Sequence, residues 1–407
     1  MKRSWLRYAL AFGITITLSS LAIAQQAEQT PQAPYRILHK FQAGADGALP
    51  EAGLARDAAG NLYGTTFYGP KGAGTVFKVD TAGKKTILHA FAAGADGAGP
   101  TGDLTIDAAG NLYGTTTGST SSNGTIFKLD KAGHETVLFS FNGFDGASPT
   151  GRLLRDHAGT IYGTTTVGGD PNCNSGKGCG VVFKLDKNGA ETTLHQFKGT
   201  PDGAFPFAGL VQDASGNLYG TTSAGGDPTC LCGTAFELDT SSKETVLHNF
   251  TGSAVGGDGA QPLAGLVRDA KGNLFGTTSI GGANNDGTVF KLDAAGTEAV
   301  LYSFTAGVDG ANPHAGLIQD AAGNLYGTTY DGAGGCPNEG CGTVFVLDTT
   351  GKETTLHVFA GGKDGQNPTA DLIRDASGTF YGTTEFGGGI PGGNCGGGCG
   401  TVFRIHP

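Results

Sequence analysis

Gly272-Asn273-Leu274-Phe275-Gly276-Thr277-Thr278 recurs seven times, with small changes, along this 407-residue chain. The other copies carry Tyr at the aromatic position, namely Tyr63, Tyr113, Tyr162, Tyr219, Tyr326 and Tyr381, each followed by Gly-Thr-Thr. Successive copies lie 50, 49, 57, 56, 51 and 55 residues apart. A period of this length marks a repeat architecture.

Working outward from this copy, 264–269 is a short apolar run ending in Asp269, and 270–273 is a turn. Residues 274–278 read as a second strand, and 279–286 as a Gly/Asn loop. The segment 287–293 alternates apolar and polar residues, 294–296 turns, and 298–304 is a fourth strand. Short β-branched and aromatic runs between Gly-bearing turns read as β-strands. We label the four A to D. Four strands per repeat suit a propeller blade.

The chain ends decide between an open stack and a ring. A lone D-type strand opens the repeats at 37–41, and a lone C-type strand closes them at 400–405. The last blade is complete only if the two lie side by side, which also removes a sheet edge. The expected fold is therefore an all-β, seven-bladed propeller of four-stranded antiparallel blades, closed by the N-terminal strand. The blade cores fall at about 52–91, 102–141, 151–197, 208–250, 264–304, 315–359 and 370–405 plus 35–41.

Lys2, Arg3 and Arg7 precede an apolar run that ends Ala22-Ile23-Ala24. This pattern reads as a signal peptide over 1–24, followed by a short linker over 25–34. An uncleaved anchor helix is the competing reading, but the run holds several Ser and Thr and is short for a span. Cleavage removes three positive charges and no negative one, taking the formal charge from −10 to −13. An acidic chain without a basic cluster excludes a typical nucleic-acid or anionic-membrane binder. Glycine supplies 74 residues, mostly in turns between apolar runs, which argues for a turn-rich β protein over disorder.

The repeated polar residues have structural explanations. Asp57, Asp107, Asp156, Asp213, Asp269, Asp320 and Asp375 end strand A, each with a Gly three residues on, as in a tight turn. Asp46, Asp96, Asp145, Asp202, Asp258, Asp309 and Asp364 each begin an Asp-Gly pair with Pro four residues later, a second turn device. Calcium needs several oxygens in one loop, and no loop supplies them, so no metal or other cofactor is expected. His39, His89, His195, His248 and His357 share a strand D position with Phe139 and Tyr302. A position that accepts all three residue types is a packing position.

Function should lie where the sevenfold symmetry breaks. The residue after the Pro is Glu51, Thr101, Thr150, Phe207, Leu263, His314 or Thr369. The residue before the Leu of strand A is Gly53, Asp103, Arg152, Gly209, Gly265, Gly316 or Asp371. Strand A lines the channel of a propeller, so Glu51, Asp103, Arg152, His314 and Asp371 are expected to ring one channel mouth as candidate binding residues. An ordinary solvated rim is the competing account. No catalytic residue is assigned.

The B–C loops hold 7, 7, 14, 10, 8, 12 and 15 residues and are expected on the same face as the D–A loops. Variable loops on a uniform scaffold are how binding faces are built. All eight cysteines fall there, as Cys173/Cys179, Cys230/Cys232, Cys336/Cys341 and Cys395/Cys399. An even count in an exported chain reads as disulfides, whereas zinc would need Cys₄ or Cys/His sets and these pairs sit on separate blades with no His nearby. Cys230 and Cys232 would close a very small ring, and their mutual pairing stays open.

The cores NLYGTT, GTVFKLD and ETVLHSF occur in register across 35–407. The pattern resembles the GloVer (Gloeo/Verruco-type) repeat of bacterial exported proteins. More distantly it is similar to NHL-type and streptogramin-lyase propellers. The resemblance implies a propeller and export; it attaches no activity, and no lyase-type catalytic set matches residue by residue. Family members often carry a C-terminal anchor, which this sequence lacks at Pro407, so release or periplasmic residence is expected. The function expected is a secreted monomeric scaffold. It would bind an extracellular or periplasmic protein or glycan through the Cys-bearing loops, without catalysis and with no membrane span after cleavage. The alternative is a lyase or hydrolase at the channel mouth.

Overall fold

The computed structural model describes residues 35–407 except 119–121, 253–256, 335, 337–339, 390–394 and 396–397. The expected signal peptide and linker lie outside the described residues. Seven four-stranded antiparallel sheets form the propeller. In blade 5 the strands are Val267–Arg268, Leu274–Thr278, Thr288–Leu292 and Glu298–Ser303. Thr278 faces Thr288, Gly276 faces Phe290 and Leu274 faces Leu292 across the B–C pair.

Side chains on a strand alternate between faces, and here both faces meet another blade. Phe290 and Leu292 pack with Phe250 and Ala235 of blade 4. Val289 packs on the other side with Phe345 and Leu347 of blade 6. Every seam repeats one contact, the last Phe of strand D edge-on to the Phe of the next blade's strand C. Phe250 and Phe290 stand at 5.0 Å, and Phe304 and Phe345 at 5.2 Å. Each such pair adds about 0.5–1.5 kcal/mol beyond area burial. The same ring explains the glycine of Gly-Thr-Thr. A Cβ on Gly276 would lie 2.6 Å from Phe290 Cζ, so the strand needs a residue without one.

Two features depart from the regular strands expected. Strand A pairs over only two residues, because the rest of its apolar run leaves the ladder to line the channel. Strand D carries a bulge, with Tyr302 opposite Val289 but Val300 opposite Phe290. The unpaired Leu301 packs against the seam between blades 5 and 6.

The ring closes as the offset termini predict. Arg36–Lys40 pairs antiparallel with Thr401–Ile405 and completes the sheet of Ile373–Arg374 and Phe380–Thr384. Phe41 is buried against Phe77 of blade 1 at 5.2 Å. The Thr383 hydroxyl donates to Ala52 O at 3.0 Å, the bond that Thr277 makes to Ala315 O between blades 5 and 6. Closure thus reuses the contacts of the other seams.

Candidate functional site

Backbone pairing brings the B–C and D–A loops to one face. Ala48 bridges Tyr68, Ala204 bridges Ala224, and Ala260 bridges Ile280. The residue before each Pro stitches this face together in the left-handed region. Phe205, at φ 58°, donates its N–H to Cys179 O of the preceding blade at 2.8 Å and accepts from Ser223 N at 3.1 Å. Leu49, Gln261 and Asn367 donate likewise to Cys399, Cys232 and Cys341. The second cysteine of each pair is therefore a fixed point of the seam, and the loop ahead of it is tethered there. The bridges Cys173–Cys179, Cys230–Cys232, Cys336–Cys341 and Cys395–Cys399 all close within single loops. In blades without cysteine, Ala73, Asn123 and Asp286 supply the same carbonyl.

The exposed large apolar side chains among the described residues are Tyr68, Phe144, Phe207, Leu231 and Val308. All five sit on B–C or D–A loops, hence on this one face. Phe144 is 75% and Val308 77% exposed. The A–B turns of the opposite face are closed by their own polar residues. Asp269 accepts from Asn273 N at 2.8 Å, and Asp57 accepts from the Tyr63 hydroxyl at 2.9 Å. Burial opposes ionisation of Asp375, but bonds from Ser377, Thr379 and Tyr381 outweigh it and hold the carboxyl at about 2.

The strand D position shared by His, Phe and Tyr does pack, edge-on to the Phe two residues on, as in His248 and Phe250. It also has a polar task that sequence reasoning missed. His39, His195, His248 and His357 bond Asp46, Asp202, Asp258 and Asp364 at 3.0–3.1 Å. Tyr302 donates to Asp309 in the same way. The Asp of each Asp-Gly pair is thus a partner for strand D as well as a turn former. The first residue of strand D in the following blade faces this pair. Five blades carry Glu there, namely Glu135, Glu191, Glu244, Glu298 and Glu353. Burial, then Asp258, pushes Glu298 up to about 7 against the pull of His248; burial raises Glu353 to a similar value. The two seams that flank the closing strand differ. Lys85 Nζ meets Asp46 Oδ1 at 2.8 Å, and Tyr35 stacks on His357 at 3.8 Å.

The five candidates from sequence all line one axial cavity of about 680 Å³. They form two rings. In the deeper ring Asp103 accepts from Gly53 N and Asp371 from Gly316 N, each at 2.5 Å. The glycines there make room, since a Cβ on Gly316 would meet Asp371 Oδ1 at 2.9 Å. Burial, then Asp371, raises Asp103 to about 6, with Arg152 pulling it back down. In the outer ring burial and then Glu385 push Glu51 up to about 7, and burial drops His314 to about 4. His314 stacks on Tyr330 at 4.4 Å and 17°, and the Tyr330 hydroxyl reaches Glu385 at 3.4 Å.

Glu385 and Tyr330 complete this rim, and Glu385 is not among the residues expected there from sequence. The signal was present. The residue after Gly-Thr-Thr is Phe67, Thr117, Thr166, Ser223, Ser279, Tyr330 or Glu385, a third position that breaks the symmetry. In blades 2 to 5 its hydroxyl bonds within the loop framework, as Ser279 does to Gln261 O at 3.0 Å. Only blades 6, 7 and 1 present something else.

Among curated proteins none matches the chain. Solved structures show the same fold at low identity. A fungal alcohol oxidase of the AA5 family, in complex with copper, is 15% identical, with a TM-score of 0.58 over 92% of this chain and 77% of that one. The extracellular domain of a one component system from B. thetaiotaomicron is 11% identical, with a TM-score of 0.56 over 91% of this chain. This chain spans only 40% of that one. The model of one sequence family matches residues 27–230, 173–337 and 229–407. Its repeat is the unit read above, so the chain belongs to the Gloeobacter/Verrucomicrobia repeat family.

Proposed function

We propose that this is an exported binding protein that engages a protein partner through its B–C and D–A loop face. The observation that carries the reading is the confinement of Tyr68, Phe144, Phe207, Leu231 and Val308 to that face. Exposed apolar groups gathered on one side mark interaction surfaces. Val308 and Leu231 are aliphatic and offer no stacking plane for a sugar, which favours a protein over a glycan. Disulfide tethers lower the ordering cost of the longer loops, about 1–2 kcal/mol per residue fixed. The four intraloop bridges and the apolar run over 9–24 support export to an oxidising compartment.

The test uses extracellular and periplasmic protein fractions together with a glycan array. The chain is compared with a Phe144→Ser, Leu231→Ser, Val308→Ser variant, and with one whose blade 3, 4, 6 and 7 loops are cut to seven residues. Loss of a specific protein partner with an unchanged thermal midpoint supports the reading. Capture by sugars alone would move the partner to a glycan. Dispensable loops with Glu51, Asp103, Arg152, His314 and Asp371 essential would favour a lyase or hydrolase at the channel mouth.

A further inference from the structure

The axial cavity is separate from the exposed apolar side chains of the loop face, Phe207 excepted, and it carries both signs of charge: Arg155 and Arg268 line it where their A strands end, over the Tyr113 and Tyr219 rings. Glu51, Asp103 and Asp371 line it, with Glu385 beside Glu51. Arg152 is the cation among the asymmetric positions, and it already serves both Asp103 and Asp371. His314 is neutral at pH 7. The outer ring therefore holds two carboxyls without a counter-charge. Beside them stands the flat His314–Tyr330 stack, and Phe207 lines the cavity elsewhere on the rim.

We infer that the outer ring is a binding site for a small organic cation, a primary ammonium compound. Its charged head would sit between Glu51 and Glu385 and its body against the His314–Tyr330 stack. The cavity volume lies in the range of small-molecule pockets, about 300–1,000 Å³. A cation beside an aromatic face gains a further ~0.5–2 kcal/mol. An anionic ligand would meet two carboxyls, and a neutral one would leave them uncompensated. Binding is coupled to protons. Burial and then Glu385 raise Glu51 to about 7, so an arriving ammonium displaces part of a proton there.

Isothermal titration of the purified chain with three isosteric probes tests this, namely 1,5-diaminopentane, pentane-1,5-diol and glutarate, with calcium chloride as a fourth. The diamine is expected to bind, and the diol and glutarate to give no heat. The diamine heat should differ between Tris and phosphate at pH 7 by the ionisation heat of the released proton fraction. Glu51→Gln with Glu385→Gln should weaken diamine binding about tenfold or more, an exchange of about 1.4 kcal/mol or more. Glu51→Gln alone, a smaller change, should weaken it about threefold and guards against misfolding of the double variant. Leu231→Ser should leave it unchanged, which separates this site from the loop-face reading. Silence from the diamine, equal binding of the diol, tighter binding of calcium, or full affinity in both rim variants would overturn the proposal.

Discussion

The seam glutamates predict that the propeller is most stable in mild acid. Glu298 and Glu353 ionise at about 7 in the folded protein against an ordinary 4.5. A folded pKa raised in this way means that the folded state holds its proton longer than the unfolded chain. That contribution is fully present below about 4.5 and is lost as pH rises through about 7. Taken whole, a shift of this size is about 3 kcal/mol per group. Both carboxyls are only half-buried, so solvent screening reduces it to roughly 1 kcal/mol each. Unfolding entropy for a ring of this size is roughly 0.8 kcal/mol per degree, and about three-fifths of the loss falls above pH 5.5, so the pair accounts for a fall of about 1–2 °C between pH 5.5 and 8.5. Glu51 acts in the same direction. Asp46 and Asp375, held down at about 2, lose their contribution only as pH falls below about 4. Thermal unfolding by circular dichroism across pH 3–9 should therefore peak near pH 4–5. Glu298→Gln with Glu353→Gln should reduce the slope above pH 5.5, leaving the share of Glu51 and Asp103, while changing the midpoint little at pH 5. Lys85→Glu should do the reverse at the closing seam, replacing the Asp46 ion pair with a second carboxyl. A midpoint that is flat or rises from pH 5.5 to 8.5, or a slope untouched by the Gln variant, would refute the reasoning.

Four further outcomes follow from packing and cross-linking. Phe41→Ala should destabilise the ring by about 3–5 kcal/mol, read from denaturant midpoints, because Phe41 is buried on the strand that completes the last blade. Deleting 35–41 should expose an edge on Thr401–Ile405 and give aggregates in size exclusion, where a soluble monomer would contradict closure. Gly276→Ala should lose about 1–3 kcal/mol, since its Cβ would press on Phe290 and on Leu266 Cδ2 at 2.9 Å. Reduction should speed proteolysis in the B–C loops of blades 3, 4, 6 and 7 and leave the blades folded, because each bridge stays within its own loop.

Much of this protein is legible in one dimension because its information is repeated. A Gly that must clear a Phe ring, an Asp that caps a turn and a Phe that welds a seam each appear seven times. The repeats can therefore be aligned with one another. The same alignment exposed Glu51, Asp103, Arg152, His314 and Asp371 as exceptions, and all five line the cavity. Glu385 escaped because it opens a loop, where variation looks like ordinary loop drift. The His–Asp pairs escaped for a different reason. His248 and Asp258 are ten residues apart, and the bulge in strand D sets which way the imidazole points.

What the sequence determined by itself is whatever a single blade can express. That covers strand period, turn chemistry, blade number and the offset termini, since each depends on neighbours within some fifty residues or on counting copies. What only the tertiary structure decided is whatever lies between blades. The Glu that starts one blade's outer strand meets the His–Asp pair of the blade before it, and Lys85 and Tyr35 replace that Glu only beside the closing strand. Likewise the rim joins blades 6, 7 and 1, where Glu51 stands 334 positions from Glu385 and 263 from His314 along the chain until the ring shuts. Charges that far apart along the chain acquire a common energy only when burial brings them together in a poorly solvated channel.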